Sequence, residues 1–164
     1  MDRYFEKISF DQFKKDIKDD IKLYEEYKLP LRKTKNSAGY DFIAIEDFEL
    51  NPGEIKKIPT GYKAFLQSDE VLMLFVRSNM GFKYNIRMTN QVGIIDSDYY
   101  NNADNEGHMF IKIQNEGDKI FRVKKGEGYA QGIFIKYLTC GDEVIEKRVG
   151  GLGSTNKKEG IENE

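Results

Sequence analysis

The densest group of side chains able to do chemistry lies in Gly93-Ile94-Ile95-Asp96-Ser97-Asp98-Tyr99, where two carboxylates and an aromatic ring surround a tight chain reversal. In an extended segment Ile94, Asp96 and Asp98 share a face, because side chains alternate along a strand. Residue types alone favour a hairpin turn with solvated acids; the functional alternative is a carboxylate held beside a ring that can stack on a sugar. A second segment, Val76-Arg77-Ser78-Asn79-Met80-Gly81-Phe82-Lys83, can offer a guanidinium, a hydroxyl and backbone N–H groups to phosphate oxygens. It reads equally as a polar turn after a buried strand. Ser37-Ala38-Gly39-Tyr40-Asp41-Phe42 leads a glycine turn into an acid, and Tyr129-Ala130-Gln131-Gly132 enters a late strand; neither is informative alone. Near the end, Arg148-Val149-Gly150-Gly151-Leu152-Gly153-Ser154-Thr155 has bare backbone and hydroxyls suited to wrapping a phosphate, although such tails are usually only flexible.

These segments need a scaffold. Beyond residue 38, short β-prone runs alternate with Gly, Pro, Asn and Asp. The runs 71–76, 109–113 and 133–138, with turns at Asn51-Pro52-Gly53-Glu54, Asn115-Glu116-Gly117-Asp118 and Lys125-Gly126-Glu127-Gly128, predict an all-β sandwich or barrel. Phe10, Phe13, Ile17, Ile21 and Tyr24 keep helical spacing and predict one helix over 10–26, opened by a capping box at Ser9 and Gln12 and ended before Pro30. The organisation expected is a helical N-terminal extension over 1–28, a β domain over 29–147 and a glycine-rich arm over 148–164.

The 164 residues suit one domain with one core, and 39% of them are apolar. Lys plus Arg number 26 and Asp plus Glu 28, a formal charge of -2, which argues against the basic surface that general nucleic-acid binding needs. No apolar run approaches the roughly 20 residues that span a bilayer, and the first residues lack the apolar core of a signal peptide. Cys140 is the only cysteine, so no internal disulfide forms; an inert thiol in a reducing cytoplasm is expected.

Together and in this order, the motifs resemble the five motifs of the trimeric dUTP pyrophosphatase family. Ala38-Gly39-Tyr40-Asp41 is similar to the first, Arg77-Ser78 with Gly81 to the second, Gly93 through Tyr99 to the third, Ala130-Gln131 to the fourth and Arg148 through Thr155 to the fifth. The match covers residues 29–156. The N-terminal helix and the extended turn Tyr100 to His108 resemble the branch found in Gram-positive bacteria and their phages. The chain departs from the family's pattern at Gly128, where an Arg is usual and one ion pair to an acid such as Asp41 is put in doubt. It also departs at Leu152, where a Phe usually caps the uracil, and at Asn79, where Gly or Ser is usual.

The resemblance implies a jelly-roll-like β-barrel with an added N-terminal helix, assembled as a homotrimer with shared sites. It implies hydrolysis of dUTP to dUMP and pyrophosphate with Mg²⁺ on the phosphates, Asp41 holding a metal-bound water. Arg77, Ser78, Gly81 and Gln131 would hold the α and β phosphates, with Asn79 beside them. Arg148, Gly153, Ser154 and Thr155 would close over the γ phosphate from another subunit, with Leu152 as an apolar lid. Asp96 would activate the attacking water, and Tyr99 would exclude a 2′-hydroxyl. Asn90 and the backbone of 86–95, including Gly93 and Ile95, would read the uracil edge.

Two rivals accompany this reading. One is a dCTP deaminase of the same fold. The other is a phage-type regulator that binds a host protein partner; such members often carry an insert between the fourth and fifth motifs, and the stretch 132–147 is short here. His108, the only histidine, lies outside every motif and is expected at a surface or interface, and Lys157-Lys158-Glu159 is expected to be a solvated tail.

Overall fold

The structure, a computed structural model, describes residues 3–141 together with Arg148 and Gly150. Leu152, Gly153, Ser154, Thr155 and the lysines after them lie outside the described residues.

The chain opens with a strand, Tyr4–Lys7 (β1), followed by two short helices, Phe10–Asp16 (α1) and Ile21–Glu26 (α2). The single helix expected over 10–26 is therefore broken. Asp20 starts a new helix by accepting from Leu23 N–H at 3.0 Å, a local bond that competes with helical continuation. Ser9 caps α1 as expected, accepting from Gln12 N–H at 3.1 Å. The reciprocal half of the capping box is not made. The Gln12 amide donates to Asp16 at 2.6 Å, and the Ser9 backbone N–H donates to Glu106 at 2.9 Å.

From there the chain is almost all strand. Tyr40–Ile43 (β2), Phe48–Leu50 (β3), Ile55–Pro59 (β4), Tyr62–Phe65 (β5) and Glu70–Phe75 (β6) precede a short helix, Ser78–Tyr84 (α3). Ile86–Met88 (β7), Gly93–Asp96 (β8), Phe110–Asn115 (β9), Phe121–Val123 (β10) and Gly128–Lys136 (β11) follow. The strands expected at 71–76, 109–113 and 133–138 are all present as β6, β9 and β11.

Among the described residues every strand pair is antiparallel. The largest sheet has the order β2-β11-β6-β8, a second runs β4-β9-β7, and two ribbons pair β1 with β5 and β3 with β10. In β6 the side chains of Glu70, Leu72 and Leu74 are buried while Val71, Met73 and Phe75 are half-buried, the alternation of a strand with one face on the core. Phe42, Leu72, Leu74, Tyr62, Ile111 and Ile113 are fully buried in one apolar cluster. Phe5, Ile8, Phe13, Leu23 and Tyr27 belong to the same cluster, so the N-terminal segment is built into the core. The Tyr27 hydroxyl donates to the Gly61 carbonyl at 2.8 Å. The outcome is the mostly β fold that the sequence predicts.

His108 departs from expectation. It is fully buried, not at a surface, with its ring 4.3 Å from that of Phe110. Its Nε2 accepts from Gly61 N–H at 2.9 Å, and its Nδ1 lies 2.6 Å from Asp16 Oδ2. A backbone N–H can only donate, so Nε2 is unprotonated and the proton sits on Nδ1, donated to Asp16. Burial pushes the imidazole below its ordinary pKa, against the opposing pull of Asp16.

Candidate active site

One group of expected residues gathers where β2, β11 and β6 run side by side. Register places Gln131 opposite Asp41 on one flank and opposite Phe75 on the other. Arg77 follows β6 and stands at the N-cap of α3. Its Nε lies 3.3 Å from Asp41 Oδ1, and its Nη1 donates to the Gly128 carbonyl at 2.9 Å. Gln131 Nε2 donates to the Val76 carbonyl at 3.2 Å. A Cβ on Gly39 would come within 2.5 Å of Gln131 Oε1, so this turn must be glycine. The result is an open cleft of about 330 Å³ lined by Lys33, Ser37, Gly39, Arg77, Ser78 and Gln131 among others. Ser78 and Asn79 are exposed in the first turn of α3, with Gly81 further along the same helix.

Asp41 is a buried carboxylate, 6% exposed, and its Oδ2 has no hydrogen-bond partner among the described residues. The ion pair that Gly128 put in doubt is supplied by Arg77. A Cβ at position 128 would stand 3.1 Å from Arg77 Nη1 and 3.2 Å from Asp41 Oδ2, so glycine there leaves the space that Arg77 uses.

A second group forms at the end of β8. Asp96 is the last residue of that strand, paired with Val71, and the chain then turns through a 3₁₀ turn, Ser97–Tyr99. The segment is a strand running into a turn, not a hairpin tip. Asp96 and Asp98 nevertheless share a side, because one guanidinium spans both. Arg148 Nη2 donates to Asp96 Oδ2 at 2.7 Å and its Nε to Asp98 Oδ1 at 2.8 Å. Arg148 also lies 5.7 Å from the centre of the Tyr99 ring. In this single chain it therefore rests on its own Asp96. Tyr99 is buried; its hydroxyl donates to the His108 carbonyl at 2.8 Å and accepts from Asn105 Nδ2 at 2.9 Å. Asn90 is exposed in the turn that leads into β8. Gly93 packs so tightly on Leu74 that a Cβ would come within 3.0 Å of it, while Ile95 enters the core.

The two groups do not meet within one chain. The Asp41–Gln131 pair sits level with Phe75, and Asp96 sits level with Val71, four residues earlier on β6. At about 3.3 Å per residue that is roughly 13 Å along the strand, before the spacing between strands is added.

The family model for dUTPase matches residues 25–156. The chain belongs to the dUTPase family. It is 50% identical over 130 residues to the deoxyuridine 5′-triphosphate nucleotidohydrolase of Lactococcus lactis, covering 77% of this chain and 87% of that protein. Among solved structures, the dUTPase from Streptococcus mutans superposes with a TM-score of 0.67 at 37% identity, over 84% of this chain and 98% of that one. The dUTPase of phage phi11 of S. aureus, in which a structural Mg(II) ion is coordinated, has a TM-score of 0.65 at 19% identity, over 90% of this chain and 98% of that one, which is a likeness of fold. Set against this dUTPase frame, sequence reasoning missed Asn105 and His108 behind Tyr99. Asn102 and Asn105 signal a turn, but no pattern along the chain signals that the turn folds back onto the tyrosine.

Proposed function

We propose that this chain hydrolyses dUTP to dUMP and pyrophosphate. The observation that carries the reading is the pairing, in a dUTPase-family chain, of a half-exposed carboxylate at a strand end with a buried tyrosine three residues on. Asp96 orients a water and takes its proton as the oxygen attacks the α phosphorus. The bond from that phosphorus to the bridging oxygen breaks, and pyrophosphate leaves. Base catalysis of this kind contributes about 10²–10⁴-fold; positioning and charge stabilisation supply most of the rest. Arg77, Ser78, Gly81 and Gln131 hold phosphate oxygens in the cleft. Tyr99 packs beneath the deoxyribose, and Asn90 with the 86–95 backbone reads the uracil edge.

The separation of the two groups supports a site shared between copies, as in a homotrimer. The cleft of one chain would then meet Asp96 and Tyr99 of another, and the arm beyond Lys147 would close over it. That assembly requires Arg148 to leave its own Asp96.

Mg²⁺ fits this donor set when carried by the substrate. Asp41 Oδ2 is a buried acceptor without a protein partner among the described residues, suited to a metal-bound water. No cluster of three or more His, Cys, Asp or Glu side chains gathers among the described residues, so phosphates and waters would be the direct ligands. The ion would neutralise phosphate charge during the displacement. No helix among the described residues is long and apolar enough to cross a membrane; with a nucleotide substrate and a single cysteine, we read the enzyme as cytoplasmic.

The test is pyrophosphate and ammonia release from dUTP, dCTP, dTTP and UTP with Mg²⁺. Pyrophosphate from dUTP alone is expected. Ammonia from dCTP would replace this reading with the deaminase.

A further inference from the structure

We infer that Asn105 is a positioning residue for sugar selection, acting through the Tyr99 hydroxyl. The inference rests on the reading of Tyr99 as the surface under the deoxyribose. A ring that excludes a 2′-hydroxyl by contact must hold its height, since a shift of a few tenths of an ångström would admit the extra atom. Packing fixes the sides of a buried tyrosine; its tip is fixed only by what the hydroxyl bonds.

Here that tip is held twice. The hydroxyl donates to the His108 carbonyl at 2.8 Å and accepts from Asn105 Nδ2 at 2.9 Å. Both of its bonding roles are thus filled by the turn that follows it. The turn is itself pinned. Asn105 Oδ1 accepts from Gly107 N–H at 3.1 Å and from Asn102 Nδ2 at 2.9 Å, and Asn105 Nδ2 also reaches the His108 carbonyl at 3.3 Å. The His108 ring is clamped between Gly61 N–H and Asp16 of α1. Ser9, at the start of α1, bonds Glu106 of the same turn. The N-terminal segment therefore braces the turn, and the turn holds the tyrosine.

Asn105 divides cleanly into two functions. Its oxygen builds the turn and its NH₂ faces the active site. Asn105→Asp keeps the first and reverses the second: a carboxylate beside the tyrosine accepts its proton and draws the hydroxyl away from His108. Tyr99→Phe removes the same tether from the other side and leaves the turn intact.

The experiment measures kcat and KM of the full-length enzyme for dUTP and UTP in Asn105→Asp, Tyr99→Phe and the double variant, with Tyr99→Ala as reference. Losing one hydrogen bond to the ring is expected to narrow the dUTP-over-UTP ratio of kcat/KM roughly three- to tenfold. KM for dUTP should rise by a larger factor than kcat falls, and the double variant should be no worse than the worse single, because both changes cut one tether. If Tyr99→Ala narrows the ratio while Asn105→Asp and Tyr99→Phe leave it unchanged, Asn105 only builds its turn and the inference falls. If Tyr99→Ala leaves it unchanged as well, Tyr99 does not read the sugar and the underlying reading falls first. Should Asn105→Asp fail to fold, Tyr99→Phe decides alone, since an unchanged ratio there removes the tether's role.

Discussion

Asp96 and Arg77 lie toward opposite ends of β6. Asp96 pairs with Val71 near its start, and Arg77 follows Val76 just past its finish. The carboxylate and the guanidinium of one chain are therefore too far apart to act on one phosphorus. Two copies can bring them together, and this is open to direct test.

Arg77→Ala and Asp96→Asn should each be nearly inactive. Mixed and allowed to exchange subunits, they should recover activity, because a cleft from an Asp96→Asn chain can meet the base of an Arg77→Ala chain. Random mixing in a closed ring restores about one site in four. Steady-state turnover before and after exchange reads this; no recovery in verified mixed oligomers would place each site within one chain.

Asp96→Asn should keep nucleotide binding and lose about 10²-fold or more in turnover. The amide is nearly isosteric but cannot take a proton. Calorimetric binding of a non-hydrolysable dUTP analogue, alongside turnover, separates the two effects. Near-normal turnover would remove Asp96 from the role of base.

Stability should fall as pH drops below about 6.5, the unfolded value of histidine. Burial holds His108 below its ordinary pKa, so the folded state binds fewer protons than the unfolded one, and the stability it contributes is present above that value and lost below it. Burial alone would raise the Asp16 carboxyl, but hydrogen bonds from Gln12 and His108 outweigh it and hold the pKa down, so Asp16 adds a loss in the same direction at lower pH. Lys57 and Glu106 also face the imidazole, with opposite signs. The limit for one proton is about 1.4 kcal/mol per pH unit. His108→Gln can accept from Gly61 and donate to Asp16 without titrating, so it should flatten denaturant-measured stability between pH 7.5 and 5.5. An unchanged slope would point to another group.

Tyr129→Phe should be neutral or stabilising. The Tyr129 hydroxyl is buried and has no hydrogen-bond partner among the described residues. Leaving such a group unpaired costs about 1–3 kcal/mol, and its removal leaves the ring's packing against Phe48 in place. Thermal unfolding should give an equal or higher midpoint. A drop of more than about 1 kcal/mol would mean that the hydroxyl is satisfied.

The strands and the order of the motifs could be read along the chain because both depend on near neighbours. Alternation marks β6, and a glycine turn marks the approach to Asp41. What could not be read depends on distant partners. Tyr4–Lys7 is too short to announce a strand, and becomes one by pairing with Tyr62–Phe65. His108 carries no sign of burial; Asp16, 92 residues away, makes its interior position tolerable. The break at Asp20 is local, but the 3.6-residue rhythm of apolar side chains runs through it and hides it. At the site, Arg77 was expected on phosphate alone. Its bond to Asp41 follows from the cross-strand register of β2 and β11, and from the space that Gly128 leaves.

β11 lies between β2 and β6, yet it is the last strand to leave the ribosome among the described residues. During synthesis β2 and β6 must wait with unpaired edges until residues 128–136 arrive, and closing the loop back to β2 spans almost ninety positions. Such non-local pairing places folding toward the slow, millisecond-to-second range, and open edges are where newly made chains stick to one another. The yield of soluble enzyme should therefore respond more sharply to chaperone supply and expression rate than to small changes in native stability, and a chain halted before Gly128 should aggregate instead of accumulating as a folded fragment.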